Sequence, residues 1–284
     1  MVAPVWVLYG TGEGDFEEAV ALRNTDGAHV VLRDKDNAEM TERICTEPFA
    51  YDWDGDGDLD LLIGNFQGTF QLAMNTGTAK EPKFEGEPTL LQGADGKPLK
   101  ITGVHSAPFL VDWDQDGDVD LLSGTSVGGA LIAMNTAGEG EAPSFAAFET
   151  LIEPVRAAPR SPICAREATT HPAKSTRIWI SDFDADGKLD VLLGDNRRLT
   201  HPKEGVTLEE ARAKQKDVDA KMAPLRGEMD TLSAEMQAEE DADKKAELLA
   251  ALREKQKALR DIYNERNTFV ETVSTGYVWV YLQK

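Results

Sequence analysis

Cysteine is scarce in this 284-residue sequence, which holds only two, Cys45 and Cys164, in no CxxC arrangement. That excludes a thiolate zinc site or a CxxC redox motif, and leaves either two buried thiols or a single disulfide in an oxidising compartment. Histidine is equally thin: His29, His105, His171 and His201 are scattered, with no HExxH, no GxSxG and no phosphate-binding glycine loop. Basic residues are outnumbered 30 to 51 by acidic ones, for a net charge of −21. Nucleic acid and anionic membrane are therefore poor partners, since both are bound by Lys/Arg-rich faces. No apolar run approaches the roughly 20 residues of a membrane span. The start MVAPVWVLYGTGEG lacks the basic end and long apolar centre of a leader, so a soluble chain with any leader already removed is expected.

What is abundant is aspartate, and it is concentrated. Three segments follow one pattern: DWDGDGDLDLLIG from Asp52, DWDQDGDVDLLSG from Asp112 and DFDADGKLDVLLG from Asp182. Their starts lie 60 and then 70 residues apart. The flanks repeat as well: APFLVDWD echoes EPFAYDWD, and LIAMNTAGEGEAPSFAAFETL echoes QLAMNTGTAKEPKFEGEPTL. Self-similarity at such a spacing marks a modular fold.

Each fixed position has a chemical reason. Ca²⁺ takes about six to eight oxygen ligands, and a short loop supplies them from alternate residues. Positions 1, 3, 5 and 9 are the candidate carboxylates: Asp52, Asp54, Asp56 and Asp60; Asp112, Asp114, Asp116 and Asp120; Asp182, Asp184, Asp186 and Asp190. Position 6 is Gly57, Gly117 and Gly187, as a sharp turn requires. Position 7 is Asp58, Asp118 and Lys188. A lysine side chain cannot ligate a cation, so this position is expected to act through its backbone carbonyl. An acidic solvated turn accounts for the Asp and Gly enrichment. It does not account for four carboxylates at one spacing in three copies, which repel one another without a cation. About three bound Ca²⁺ ions are expected.

An EF-hand places a bidentate Glu at position 12 and continues as a helix. Here position 12 is Ile63, Ser123 and Leu193, and the continuation is apolar, β-like and ends in glycine. Dockerin-type loops, which also run into helices, fail the same test. The aspartates therefore wrap a turn between two strands, the second of which enters the core.

The motifs and their flanking strands resemble the FG-GAP or VCBS repeat family, found in integrin α-subunit propellers and many secreted bacterial proteins. The resemblance covers most of the chain outside residues 207–268. It implies a mainly β fold: a β-propeller-like array of four-stranded blades, about four in number or part of a larger ring. Calcium would stiffen the loop between the first two strands of each blade, and the carboxylates and position-7 carbonyls named above carry over as its ligands. The expected organisation is propeller repeats over 1–206, with a partial blade at 1–43 and blades starting near 44, 104 and 173. A helical insertion over 207–268 and final strand residues over 269–284 follow. VWVLYGTGEGDFEEAVAL matches the tail of a blade without a preceding aspartate loop. Either upstream sequence begins that blade, or these strands complete the last one, whose ending YVWVYLQ is similar to PVWVLYG.

Residues 207–268 change period. Thr207 and Glu210 form a capping-box signature, and Leu208, Ala211, Val218, Met222, Leu225, Met229, Leu232 and Met236 follow in 3-4 spacing. After AEEDADKK a second seam runs through Leu249, Leu252, Leu259 and Tyr263. Two matched seams predict an antiparallel, coiled-coil-like hairpin. Pro224 is expected to kink its first helix or mark a late start. The hairpin is either an arm for a partner or for self-association, or a closed pair whose seams fill each other. The stretch 153–177, rich in Pro, Arg and Ala, reads as a long, locally basic surface loop.

These readings point to a non-catalytic calcium-binding β-propeller protein, secreted or periplasmic, that binds a protein or glycan partner. The alternative is a polysaccharide-active enzyme or an accessory domain of one, and a third reading is a structural piece of a larger secreted polypeptide. Carboxylates neutralised by calcium are poor general bases because the cation lowers their pKa. Loops without a bidentate Glu suit calcium-rich surroundings outside the cytosol.

Overall fold

The computed structural model describes residues 5–30, 46–138, 141–155, 163–164 and 170–284. Among the described residues the chain is mainly β with two helices, and it divides into two compact units. The first comprises Met1–Arg156, His171–Arg197 and Gly276–Lys284; the second comprises Ala157–Thr170 and Arg198–Thr275. Cys45 lies outside the described residues, and so does the question of its pairing with Cys164.

The first unit carries the repeats. Strands β3 (Glu47–Tyr51), β4 (Asp60–Gly64), β5 (Phe70–Ala73) and β6 (Thr89–Leu90) form an antiparallel sheet in sequence order. Strands β7 (Ala107–Val111), β8 (Asp120–Gly124), β9 (Ala130–Ala133) and β10 (Glu149–Ile152) repeat that meander. In the third copy β12 (Asp190–Pro202) pairs with β11 (Lys174–Ser181), with β14 (Val278–Tyr281) and with β13 (Val270–Thr275). The pairs Tyr51↔Asp60, Val111↔Asp120 and Ser181↔Asp190 place the ninth aspartate at the same register in all three hairpins.

Near the N-terminus, β1 (Trp6–Val7) and β2 (Val20–Ala21) form a separate two-stranded sheet. Among the described residues these strands pair only with each other, and Val191 to Gly194 of β12 pair with Tyr281 to Val278 of β14. Val5, Val7, Leu22 and Val30 instead pack with Leu61, Ala73 and Phe84 of the first repeat.

The second strand of each repeat is apolar almost throughout because both its faces are buried. On β8, Leu121 joins Leu62, Phe70, Leu110 and Phe145, whereas its neighbour Leu122 joins Phe109, Ile178, Ile180 and Leu193. Burying each such side chain contributes about 1.5–3 kcal/mol. Equivalent aromatics form a ladder across the three first strands: Phe49 to Phe109 at 5.0 Å and Phe109 to Trp179 at 5.2 Å between ring centres. Glu47 and Arg177, five residues before the first and third loops, meet in an ion pair at 2.6 Å.

Adjacent repeats are latched at a glycine. A Cβ on Gly64 would lie 2.2 Å from the Ser106 carbonyl oxygen, and one on Gly124 would lie 2.2 Å from that of Thr176. Beside each glycine a hydroxyl from the next repeat ties the backbone. Asn65 N–H donates to Ser106 Oγ at 2.8 Å and Thr125 N–H to Thr176 Oγ1 at 2.9 Å. Ser106 Oγ donates in turn to the Thr69 carbonyl and Thr176 Oγ1 to that of Gly129. At Gly64 and Gly124 the position-13 glycine is thus a contact between neighbouring backbones, where a side chain would force the repeats apart.

The second unit holds α1 (Leu208–Ala238) and α2 (Ala242–Arg266). Thr207 and Glu210 form the reciprocal capping box, and Asp241 caps α2 through Asp243 N–H and Lys244 N–H. The contacts Lys221–Glu265, Arg226–Tyr263 and Lys255–Glu228 run in opposite order along the two helices, which makes the hairpin antiparallel. α1 starts at Leu208 and continues through Pro224, so no late start occurs there. The seam is tightest at the foot, where Ala211, Val218 and Met222 pack with Ile163, Phe269 and Val270. Leu249 and Tyr263 remain exposed. No described helix is long and apolar enough to cross a membrane.

Candidate metal centres

The three aspartate turns are held by one hydrogen-bond scheme. The position-1 carboxylate reaches across the loop to the position-6 glycine: Asp52 Oδ2 accepts from Gly57 N–H, Asp112 Oδ2 from Gly117 and Asp182 Oδ2 from Gly187, at 3.0 to 3.1 Å. The position-5 carboxylate accepts from the N–H two residues on, at Asp58, Asp118 and Lys188. That is the local Asx turn short acidic side chains favour.

Two positions in each turn are left-handed. Position 6 has φ of 94°, 100° and 88° at Gly57, Gly117 and Gly187. Position 4, where the sequence shows no rule, is also left-handed, at Gly55 (75°), Gln115 (63°) and Ala185 (61°). A residue with a Cβ pays roughly 1–2 kcal/mol for this conformation, so the loop path is maintained even where glycine does not relieve it.

The ninth aspartate is the staple. Asp60, Asp120 and Asp190 are 1 to 2% exposed. One oxygen accepts from the backbone N–H of the position-2 aromatic: Trp53 at 2.8 Å, Trp113 at 3.2 Å and Phe183 at 2.8 Å. The other accepts from the backbone just past the third strand: Asn75 at 2.6 Å, Asn135 at 2.8 Å and Gln283 at 2.9 Å. Burial pushes the Asp60 and Asp120 carboxyls up, against the pull of these N–H groups. Asp190 is held down, chiefly by the Gln283 N–H.

Carboxylate oxygens from Asp52, Asp54 and Asp60 lie within 4.8 Å of one another, as do those of Asp112, Asp114 and Asp116, and of Asp182, Asp184 and Asp190. The residues fit a hard cation. Asp52 Oδ1 is buried without a hydrogen-bond partner, although the same oxygen of Asp112 and Asp182 accepts from the position-5 N–H. Position 7 differs among the copies. The Asp58 and Asp118 side chains are buried, each with an unpartnered Oδ1, and Asp118 Oδ2 accepts from Gly138 N–H. Their pKa values are raised, by burial first and by neighbouring aspartates next. Lys188 is exposed and reaches Asp186 at 3.7 Å.

No described histidine belongs to these acidic clusters. His201 Nδ1 meets the Cys164 carbonyl at 2.9 Å, and His105 packs its ring 4.5 Å from that of Phe66.

Residues 52–123, which include the first two turns, match the family model of the FG-GAP-like repeat. The comparison with curated proteins gives no match, and neither does the comparison with solved structures. The match falls on the segment that joins the first two aspartate turns, where the motifs carry the resemblance. The third turn lies outside the matched residues and carries the same hydrogen-bond scheme.

Proposed function

We propose that the protein is a calcium-stabilised, β-propeller-like binding module that acts outside the cytosol, without catalysis of its own, on a protein or glycan partner. Each aspartate turn holds one Ca²⁺. The ligands are the carboxylates at positions 1, 3, 5 and 9 and the backbone carbonyl of position 7. The observation that carries this reading is the buried, unpartnered Asp52 Oδ1 within a cluster of converging carboxylates. A bound divalent cation offsets two of that cluster's negative charges and leaves the N–H staples intact.

The propeller reading is supported by the side-by-side packing of equivalent sheets, by the aromatic ladder and by the Glu47–Arg177 pair that joins the first strands of the first and third repeats. FG-GAP-like repeats serve adhesion and binding, which supplies the function class.

The test is a calorimetric calcium titration of chelator-stripped protein, with the melting temperature followed in parallel. Binding of about three ions per chain with a rise in melting temperature is expected. Absence of binding would sink the metal assignment, and submicromolar affinity would sink the extracytoplasmic one.

A further inference from the structure

The second unit contains a cavity of about 450 Å³ whose chemistry is opposite to that of the aspartate turns. Three arginines from three elements line it: Arg198 of β12, Arg226 of α1 and Arg266 at the end of α2. Among the described residues one carboxylate, Asp219, stands in the lining with these three guanidinium groups. In a chain of net charge −21, that concentration of positive charge runs against the composition.

Two of the guanidinium groups, those of Arg226 and Arg266, are positioned by neutral partners. Arg226 donates to the Tyr263 hydroxyl at 2.9 Å. Arg266 donates to Gln215 Oε1 at 2.9 Å and to the hydroxyls of Thr200 and Thr272 at 3.3 and 3.4 Å. Such bonds orient a guanidinium without consuming its charge. Tying the hairpin foot to the strands accounts for Arg266, but it gives no reason for Arg198 and Arg226 to face the same space. Three like charges around one cavity repel, and the single Asp219 carboxylate offsets only one of them, which leaves room for a bound anion. Arginine is the side chain whose planar fork matches paired oxygens of a carboxylate, sulfate or phosphate. The volume falls within the range of small-molecule sites, and Ile163 and Met222 add apolar lining.

We propose that this cavity is an oxyanion-binding site for a small polar molecule, with Arg198 and Arg226 as the main charge partners and Arg266 and Tyr263 completing the donor set. It is independent of the calcium loops.

The test uses the full chain with calcium present, titrated by calorimetry at constant ionic strength with inorganic phosphate and, separately, with glucuronate, and with glucose as neutral control. Saturable binding of at least one anion, with a millimolar or tighter dissociation constant and none for glucose, is expected. Arg198→Gln and Arg226→Gln should each weaken it several-fold. Lys216→Gln, an exposed α1 lysine outside the cavity lining, should not. Preference for glucuronate assigns a carboxylate ligand, and preference for phosphate a tetrahedral one. Failure of both anions to saturate, or binding that both arginine variants leave unchanged, overturns the proposal. Arg198 is exposed, so its variant remains informative if Arg226→Gln misfolds.

Discussion

Gly124 sits against Thr176 so closely that a single added carbon would stand 2.2 Å from the threonine carbonyl oxygen. Gly124→Ala, and likewise Gly64→Ala against Ser106, should destabilise the first unit by about 1–3 kcal/mol, the usual cost of overpacking a rigid contact. Gly194, the third glycine of the series, has only Arg177 O at 3.9 Å. Gly194→Ala should cost a fraction of that in chemical denaturation, and equal losses at all three glycines would contradict the latch.

Asp120→Asn keeps the side-chain shape but replaces one of two acceptor oxygens with a donor facing a backbone N–H. Loss of one buried hydrogen bond and a clash of donors should cost about 1–3 kcal/mol, readable as a lower melting temperature even in chelator. Calcium affinity should fall together with stability. A variant that binds calcium normally would show that the ninth aspartate is a staple alone.

The carboxyls of Asp60 and Asp120 should titrate above the ordinary aspartate range in calcium-free protein, and that of Asp190 below it, as read from side-chain carboxyl shifts in NMR. The signs for stability are opposite. For Asp60 and Asp120 the folded state binds the proton more tightly, so their contribution improves as pH falls through the folded pKa toward the unfolded value. Asp190 contributes stability above the unfolded pKa and loses it as pH falls through its depressed folded value. Identical titration of all three would refute the distinct environments.

Ala185 holds a left-handed backbone at φ 61°. Ala185→Gly should therefore stabilise the third turn by about 0.5–1 kcal/mol, after subtracting the extra freedom glycine gives the unfolded chain. A glycine substitution at the exposed helical Ala223 should instead cost about 1 kcal/mol. A loss at both sites in thermal unfolding would rule out the strained conformation.

Much of this structure is legible in the amino-acid order. The period of the aspartate motifs gives the repeats, and the apolar strands after them give sheets buried on both faces. The change to 3-4 spacing at Thr207 gives the hairpin. What escapes is set by contacts distant in sequence. Asp60 and Asp120 look like any other acidic loop members, because the N–H groups they staple belong to Asn75 and Asn135, beyond the third strand. Position 4 hides its left-handed backbone behind glutamine and alanine. Arg198, Arg226 and Arg266 read as ordinary charges on a strand and two helices until the hairpin foot brings them to one cavity.

The staples also set an order of assembly. Asp60 and Asp120 each meet an N–H 15 residues further on, whereas Asp190 waits for Gln283, 93 residues away. Closing the longer span costs about 1.6 kcal/mol more, at roughly 0.6 kcal/mol per doubling of length. During synthesis the first two turns are able to lock while the third still lacks its partner. Between Asp190 and Gln283 lies the hairpin, whose antiparallel helices bring residues 207 and 267 back together and shorten the gap that the chain must cross.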